Sequence, residues 1–298
     1  MSLKFEVYGL KLPEVRPGTD LAKTIVEHAV ECGVGIRDYD IIIVTSKVIL
    51  KAKGLTFKLD SVKPSLASKV ISWITGKDPV EVELVLKTAR DFVAVVDVEK
   101  FLGDRVSKIS EDLEATRRLI RRVPFLILVT TKQGLLSLDG GVDYSNLPPG
   151  HAIANIVDFD VEAENLRREV ERLTGKRVAV VITDTEFNIS GKVGSVDVAV
   201  GSSGIKPVTP LFGSKDIYGK PKFGGVDIIV DELASTAALL MGQTSEGIPV
   251  VIVRGLKYTV SDEGVKEYTL KLKGIPLSLL FKTLLVKLAF KILHRQNR

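Results

Sequence analysis

The order of strand-like and helix-like segments constrains the fold of this chain more than any other feature of its sequence. Short apolar runs typical of strands occur at 40–44, 92–98, 125–130, 134–138, 177–183 and 248–253. Patterns with helical spacing fall irregularly between them, at 19–31, 65–75, 78–89, 110–122, 161–174 and 226–241. The neighbouring runs 125–130 and 134–138 predict a hairpin. This irregular order favours an α+β protein with mixed β-sheets over a doubly wound parallel sheet.

The helix starts rest on capping residues. We expect Thr19 and Ser110 to cap the helices that follow them, and Asp78 with Pro79 to open the helix at 78–89. The stretch 184–225 is dotted with glycine and gives no clear helix or strand pattern.

Cysteine and histidine usage limits the kinds of metal site. Cys32 is the only cysteine, so an internal disulfide and a thiolate metal cage are both excluded. The three histidines, at 28, 151 and 294, do not have the spacing of a metal site. A metal would therefore be held by oxygen ligands, as magnesium, manganese and calcium are.

The net charge of +5 suits a polyanionic small substrate such as a nucleotide, and no motif for binding nucleic acid accompanies it. No apolar stretch is long enough to cross a bilayer, and the first residues lack the order of a signal peptide. We therefore expect a cytoplasmic protein. Only one Cys and two Met beside 42 Lys and Arg hint at a thermophilic source.

Two aspartates are candidate metal ligands. Asp184 follows the apolar strand pattern 177–183, and acidic residues at such strand ends often bind metal or phosphate, with Thr185 offering a second oxygen. Asp143 lies in a glycine-rich loop with Asn146. Each has a simpler reading, because Asp184 could end a turn and Asp143 could form an Asx-turn at the surface.

Two further segments could bind a nucleotide. The loop 241–247 could present the oxygens and donors of Gln243, Thr244, Ser245 and Glu246, although it is equally an ordinary helix end before a strand. The segment 46–54 carries Lys47, Lys51 and Lys53 at what we expect to be a strand end. Those lysines could neutralise phosphate, or could simply keep a strand edge soluble. No Walker motif occurs, so phosphate binding would need another scaffold.

Together these segments resemble one family. The matching runs are IRDYDIIIVTSKV at 36–48, GVDYSN at 141–146, TGKRVAVVITDT at 174–185, DIYGK at 216–220, DELA at 231–234, and MGQ with EGIPVVIVRG within 241–255. They look like the coenzyme F420-0:L-glutamate ligase family, and the likeness extends from about 12 to 255. The resemblance implies a two-domain α+β homodimer with a deep cleft. It also implies that L-glutamate is joined to the carboxylate of a deazaflavin coenzyme, through an acyl phosphate, with GTP and Mg²⁺ or Mn²⁺.

The resemblance also implies roles for individual residues. The catalytic pair would be Asp143 and Asp184. The metal ligands would be Asp143 and Asp184 for one divalent ion, with Thr185 and Gln243 at a second. The residues that hold GTP would be Leu12, Pro13, Glu14, Val15, Ser46, Lys47, Lys51, Asn146, Met241, Gly242, Gln243, Thr244, Ser245, Glu246, Gly247 and Ile248.

The chain departs from the family pattern in three places. The run 186–194 lacks the arginines that usually follow the Thr-Asp-Thr motif, and a single lysine does not reproduce their bidentate grip on phosphate or carboxylate groups. Gln243 stands where the family often has an acid, and Glu246 could compensate. An insertion occupies about 97–122. These departures leave two alternatives open: a sister ligase with another carboxylate acceptor, and a non-catalytic nucleotide-binding protein.

The last predictions concern organisation. We expect a larger domain from 1–124 with 226–298 and a smaller one from 125–225. The C-terminal segment predicts an amphipathic basic helix whose apolar face is formed by Leu277, Phe281, Leu284, Leu285, Leu288 and Ile292. Such a helix could lie on a membrane surface, but packing on the core or across a dimer is the commoner use.

Overall fold

The computed structural model describes residues 4–187 and 192–269 of the 298-residue chain. The strands in that part are β1 (Glu6–Leu10), β2 (Asp40–Thr45), β3 (Phe57–Lys58), β4 (Ala89–Asp97), β5 (Phe125–Thr131), β6 (Leu136–Leu138), β7 (His151–Ala152), β8 (Val178–Phe187), β9 (Ser195–Ser203) and β10 (Val250–Arg254). The helices are α1 (Leu21–Glu31), α2 (Ser46–Ala52), α3 (Leu66–Thr75), α4 (Pro79–Thr88), α5 (Val98–Leu102), α6 (Val106–Ile109), α7 (Leu113–Arg122), α8 (Phe159–Thr174) and α9 (Ile229–Met241). The predicted C-terminal helix and residues 188–191 of the altered run lie outside the described residues.

A five-stranded mixed sheet forms the centre of the fold, with the strand order β1-β10-β2-β8-β9. Its one parallel pair is β2 with β8, and the other three pairs are antiparallel. Two smaller antiparallel sheets, β4-β5-β6 and β3-β7, complete the described strands. The predicted α+β class with mixed sheets is confirmed, and so is the hairpin of β5 and β6.

Helices cover both faces of the central sheet, which explains why its inner strands read as continuous apolar runs. In β2, Ile42 and Val44 pack with α1 and α8 on one face, whereas Ile41 and Ile43 pack with α9 on the other. Every one of these four side chains is fully buried. Successive strand residues point to opposite faces, so a strand buried on both faces needs apolar residues at every position.

The pairing of β8 changes along its length. Its parallel pairing with β2 runs from Val178 to Thr183, and its antiparallel pairing with β9 continues beyond that point to Phe187. A register shift between Ile182 and Thr183 marks the change. The sequence predicted that the strand ends before Asp184, and this was wrong because β9 supplies a partner for four further residues.

Three local predictions need correction. Asp20, not Thr19, caps α1 and accepts a hydrogen bond from the Lys23 backbone N–H. Asp112, not Ser110, caps α7. The segment that begins at 46 is helix α2 and not a strand end, so its lysines lie on a helical surface. The cap at Asp78 is as expected, and Ser65 caps α3, whose range agrees with the predicted helix at 65–75.

The strands β1 and β9 were missed by sequence reasoning, because short or glycine-containing runs give weak strand patterns. The central sheet joins β8 and β9, from the predicted smaller domain, to β1, β2 and β10. The predicted domain boundaries at 124 and 225 stay a prediction. None of the helices in the described ranges is long and apolar enough to cross a membrane.

Candidate active site

A cavity of about 640 Å³ opens where β2 and β8 end their parallel pairing. The carboxyl ends of parallel strands lie at the same sheet edge, which is where α/β sheets commonly place ligands. Thr45 and Thr183 form the last pair, so the next residues, Ser46 and Asp184, stand side by side. The Ser46 hydroxyl donates a hydrogen bond to Asp184 Oδ1 across 3.0 Å.

The structure brings all the predicted site residues to this one cavity. Its lining includes Asp143, Asp184, Thr185 and each of the 16 residues predicted to hold the nucleotide, from Leu12–Val15, α2, Asn146 and the 241–248 loop. The backbone N–H of Leu12 donates to the Gly247 carbonyl, and the Asn146 side chain donates to the Thr244 carbonyl. Segments far apart in sequence are therefore held together around one space.

Burial raises the pKa of Asp184 to about 6, and the nearby charge of Asp143 acts in the same direction. Hydrogen bonds from Asn155, at 2.6 Å, and from Ser46 oppose this increase without cancelling it. No lysine or arginine of the described residues forms an ion pair with Asp184. Its negative charge is thus held by neutral donors alone.

Asp143 has a different environment. Its Oδ2 forms a 2.7 Å ion pair with Lys47 of α2, and its Oδ1 accepts the Ser145 backbone N–H at 2.7 Å. Burial disfavours the charged form, but the Lys47 ammonium and the Ser145 donors outweigh it, so the pKa of Asp143 lies below its usual value. The predicted Asx-turn is present, because Asp143 bonds the backbone two residues on. Asp143 forms this turn and also lines the cavity wall.

The loop just before Asp143 leaves no room for a residue larger than glycine at position 141. Gly141 has a φ of +70°, and a Cβ added there would lie 2.3 Å from Asn155 Nδ2 and 3.3 Å from Asp184 Oδ2. Glycine therefore lets the loop pass directly over the carboxylate. Asp139, two residues earlier, forms a 2.8 Å ion pair with the buried Lys77, which fixes the start of this loop.

A second group of polar side chains lies around Asp197 of β9, which also lines the cavity. The Thr185 hydroxyl donates to Asp197 Oδ1 at 2.8 Å, and the Gln243 amide nitrogen lies 3.3 Å from the same oxygen. The Gln243 amide oxygen is 3.4 Å from the Thr185 hydroxyl. Only 4% of Asp197 is exposed.

Glu246 does not supply the acid that the family often has at the position of Gln243. Its carboxylate accepts hydrogen bonds from the backbone N–H and the hydroxyl of Thr244, within its own loop. Its own backbone N–H, and after it these bonds from Thr244, lower the pKa of Glu246. It packs over Gly242, where an added Cβ would lie 2.2 Å from Glu246 Cδ. Glu246 stabilises the 241–248 loop, and the carboxylate beside Gln243 comes from Asp197 instead.

The lining suits a hard divalent cation. Its ligand candidates are carboxylate, hydroxyl and amide oxygens, which magnesium and manganese prefer. Within 4–187 and 192–269, no three His, Cys, Asp or Glu side chains form a complete metal cluster. Magnesium sites that use one or two carboxylates and substrate phosphates do not need one. The uncompensated Asp184 carboxylate fits a site of that kind.

Sequence reasoning missed Asp197 and Asn155. Asp197 interrupts the alternating valines of Ser195-Val-Asp-Val-Ala-Val200, and a charged residue on the inner face of a strand is a recognisable signal. It was hidden because the strand itself was not predicted. Asn155 follows three apolar residues and gave no signal, since its contact with Asp184 depends on tertiary structure.

Comparison with known proteins gives a consistent result. The family model of F420-0:Gamma-glutamyl ligase matches residues 9–255. A coenzyme F420:L-glutamate ligase of Archaeoglobus fulgidus is 36% identical over 266 residues, which is 89% of this chain and 92% of the relative. The proteins of the same name from Methanosarcina mazei and Methanopyrus kandleri are both 35% identical, over 89% and 82% of this chain and 92% and 84% of the relatives.

The likeness covers the central sheet apart from the start of β1, together with the Gly141 loop and the 241–248 loop, and these segments contribute to the cavity. The chain belongs to the F420-0:γ-glutamyl ligase family, whose members are amide-forming ligases.

Proposed function

We propose that this protein joins L-glutamate to the terminal carboxylate of the deazaflavin coenzyme F420-0, using GTP and Mg²⁺ or Mn²⁺. The observation that carries the proposal is the meeting of Asp143 and Asp184 at one cavity, with Lys47 and Lys51 on the adjoining face of α2. Residues four apart on a helix share a face, so both lysines can reach the same anion. The named ligases among the relatives support this choice of reaction.

The chain's own groups suit phosphate handling. The ammonium groups of Lys47 and Lys51 would offset phosphate charge, and the 241–248 loop would hold the rest of the nucleotide. Asp143 and Asp184 would hold the cation, which supplies further neutralisation of the phosphates when bound. In phosphoryl transfer, positioning and charge neutralisation matter more than a protein nucleophile. Cys32, the one thiol, is exposed and does not line the cavity.

The proposed reaction has two steps. A carboxylate oxygen of the coenzyme attacks the γ-phosphorus of GTP, so that an O–P bond forms and GDP leaves. The amine of glutamate then attacks the carbonyl carbon of this acyl phosphate. A C–N bond forms, the C–O bond to phosphate breaks, and the amine loses a proton. The activation is needed because a carboxylate oxygen is a poor leaving group.

The direct test measures GDP and phosphate release by the purified protein with F420-0, L-glutamate, GTP and manganese. Release should require both the coenzyme and glutamate, and mass spectrometry should show one added glutamyl group per coupling. Wild-type protein that binds GTP and manganese without any turnover would contradict the proposal.

The altered run 186–194 favours a second candidate acceptor. It carries Lys192 where the family usually has arginines, and a lysine cannot bind a carboxylate or phosphate through a planar fork. A screen of carboxylate acceptors for glutamate-dependent GDP release would distinguish a sister ligase from a coenzyme F420-0 ligase. A non-catalytic nucleotide-binding protein would release no GDP with any acceptor.

We further propose that the protein acts as a homodimer, as the family resemblance implies. Sedimentation equilibrium should give twice the chain mass of 32.5 kDa. A monomer at micromolar concentration would contradict this.

A further inference from the structure

Asp197 is a buried carboxylate at the wall of the proposed ligand cavity, and none of the resolved ion pairs includes it. Its neighbours within hydrogen-bonding distance are neutral side chains. Thr183 is 3.5 Å from Oδ2 but lies closer to the Val198 carbonyl, at 3.1 Å. Burying an ion without an opposite charge is unfavourable, so a permanent carboxylate here needs a compensating cation.

The positions of the hydrogen atoms that face Asp197 indicate its role. A hydroxyl has one hydrogen, and the Thr185 hydroxyl directs it at Asp197 Oδ1 across the short 2.8 Å contact. The Thr185 oxygen then keeps its lone pairs for another partner. The nearby Gln243 oxygen is itself an acceptor, so it cannot supply a hydrogen to Thr185.

The same oxygen fixes the orientation of Gln243. Its amide nitrogen faces Asp197 Oδ1 at 3.3 Å. The flipped amide would place two acceptor oxygens against each other, so the carboxylate selects the orientation whose NH₂ group points toward it. The Gln243 oxygen is consequently left to accept or to coordinate. Asp197 thus accepts a hydrogen bond from each of its neutral neighbours, Thr185 and Gln243, and leaves their oxygen atoms free to bind a cation.

We propose that Asp197 is a positioning residue for Thr185 and Gln243, which the family resemblance implies as ligands of a second divalent cation: it orients their oxygens and supplies the balancing negative charge. This inference rests on the proposed metal-dependent function. It assigns the charge that Gln243 lacks to a residue 46 positions away in sequence, and not to Glu246, which bonds its own loop.

The test compares Asp197→Asn with Asp231→Asn. Asp231 is a partly buried carboxylate that accepts a hydrogen bond from the Ala199 backbone N–H of β9, but it does not line the cavity. Binding of Mn²⁺ would be followed by loss of the free-ion electron paramagnetic resonance signal, with a non-hydrolysable GTP analogue present. We expect two ions per wild-type chain, and about 10- to 100-fold weaker binding of one of them in Asp197→Asn. Asp231→Asn should keep both affinities.

Two further measurements separate positioning from folding. Thr185→Val changes an exposed residue and should weaken the same ion, and combining it with Asp197→Asn should add little further loss. Thermal unfolding of each variant in EDTA shows whether the fold is intact. If Asp197→Asn does not fold, the Thr185→Val result still decides, since unchanged affinity for both ions would overturn the inference.

The outcomes distinguish the two proposals. A wild-type chain that binds no Mn²⁺ with the analogue contradicts the proposed function as well as this inference. A wild-type chain that binds one ion, or an Asp197→Asn variant with both affinities unchanged, overturns the inference alone.

Discussion

Lys47 and Asp143 form a 2.7 Å ion pair across 96 residues of sequence, and both line the same cavity. The pair joins the first turn of α2 to the loop that follows β6. It places a positive charge beside one of two carboxylates whose environments otherwise differ, because Asp184 has only neutral donors. Charge at this site is therefore distributed unevenly, and each group can be tested separately.

Replacing Lys47 with Met should weaken GTP binding about tenfold or more, since one phosphate-neutralising charge is lost. It should also raise the pKa of Asp143 toward the ordinary carboxylate value, because the ammonium that lowers it is gone. Calorimetric titration with GTP and manganese would measure the affinity. Lys53→Met is the matched control: Lys53 pairs with Glu162 and does not line the cavity. Equal affinity in the two variants would contradict a nucleotide role for Lys47.

Replacing Asp184 with Asn should abolish metal-dependent GTP binding yet stabilise the metal-free fold at neutral pH. The folded-state pKa of Asp184, about 6, lies above the ordinary value, so the native state binds the proton more tightly than the unfolded state. Stability is then lost as the pH rises from about 4 to 6. The Asp184→Asn side chain carries no charge and therefore avoids this loss of stability. Its amide oxygen can still accept a hydrogen bond from Asn155.

Urea unfolding in EDTA would measure this effect. The free energy of unfolding of Asp184→Asn should exceed that of the wild type by about 1–3 kcal/mol at pH 7.5, with almost no difference near pH 4. A variant that is less stable than the wild type at both pH values would show that the charged form of Asp184 is favoured by the fold.

Asp40→Asn should behave in the opposite way. Asp40 is fully buried, but it pairs with Arg254 at 2.7 Å, and Arg254 also donates to the carbonyl groups of Val34 and Gly35. Removing its charge leaves a guanidinium without its counterion and should destabilise the fold by about 3–5 kcal/mol. The pair lies away from the cavity lining, so GTP affinity of the folded fraction should be unchanged. A decrease of less than about 1 kcal/mol in the free energy of unfolding, measured with urea, would contradict this account.

Gly141→Ala should reduce both stability and ligand binding. The new methyl group would clash with Asn155 and approach Asp184, in addition to the strain of a positive φ. Gly150→Ala is matched to it, with a φ of +75° and open space around the added carbon. The free energy of unfolding of Gly150→Ala should fall by about 1 kcal/mol, and this control should keep its affinity for manganese. Similar binding by both variants would show that the Gly141 loop tolerates displacement.

The fold class was accessible from sequence because its strongest determinants are local. Within the runs at 40–44 and 177–183, residues 41–44 and 178–182 are apolar at every position, as strands buried on both faces require. The helix start at Asp78 was readable from capping chemistry. The errors arose where two polar neighbours competed for one cap, as Thr19 and Asp20 do, or where a strand depended on a distant partner, as β9 does.

The site was less accessible from composition and spacing alone. Asp143 and Asp184 each had an ordinary structural explanation, and only the family resemblance joined them to the 241–248 loop. Hydrogen bonds such as Asn155 to Asp184 and Thr185 to Asp197 connect residues whose proximity depends on strand pairing. Contacts of this kind cannot be read from local patterns.

The continuation of β8 and β9 beyond β2 has a mechanical consequence. Past Thr183 the two strands form a ribbon that overhangs the central sheet, and this overhang carries Thr185 and Asp197 opposite each other. A tilt of the ribbon would move these two residues as one rigid lever and preserve their separation. Their distance from Lys47 and Asp143, which belong to other segments, would change instead. The distance across the cavity between the Thr185–Asp197 pair and the Lys47–Asp143 pair thus depends on the stiffness of the ribbon formed by β8 and β9.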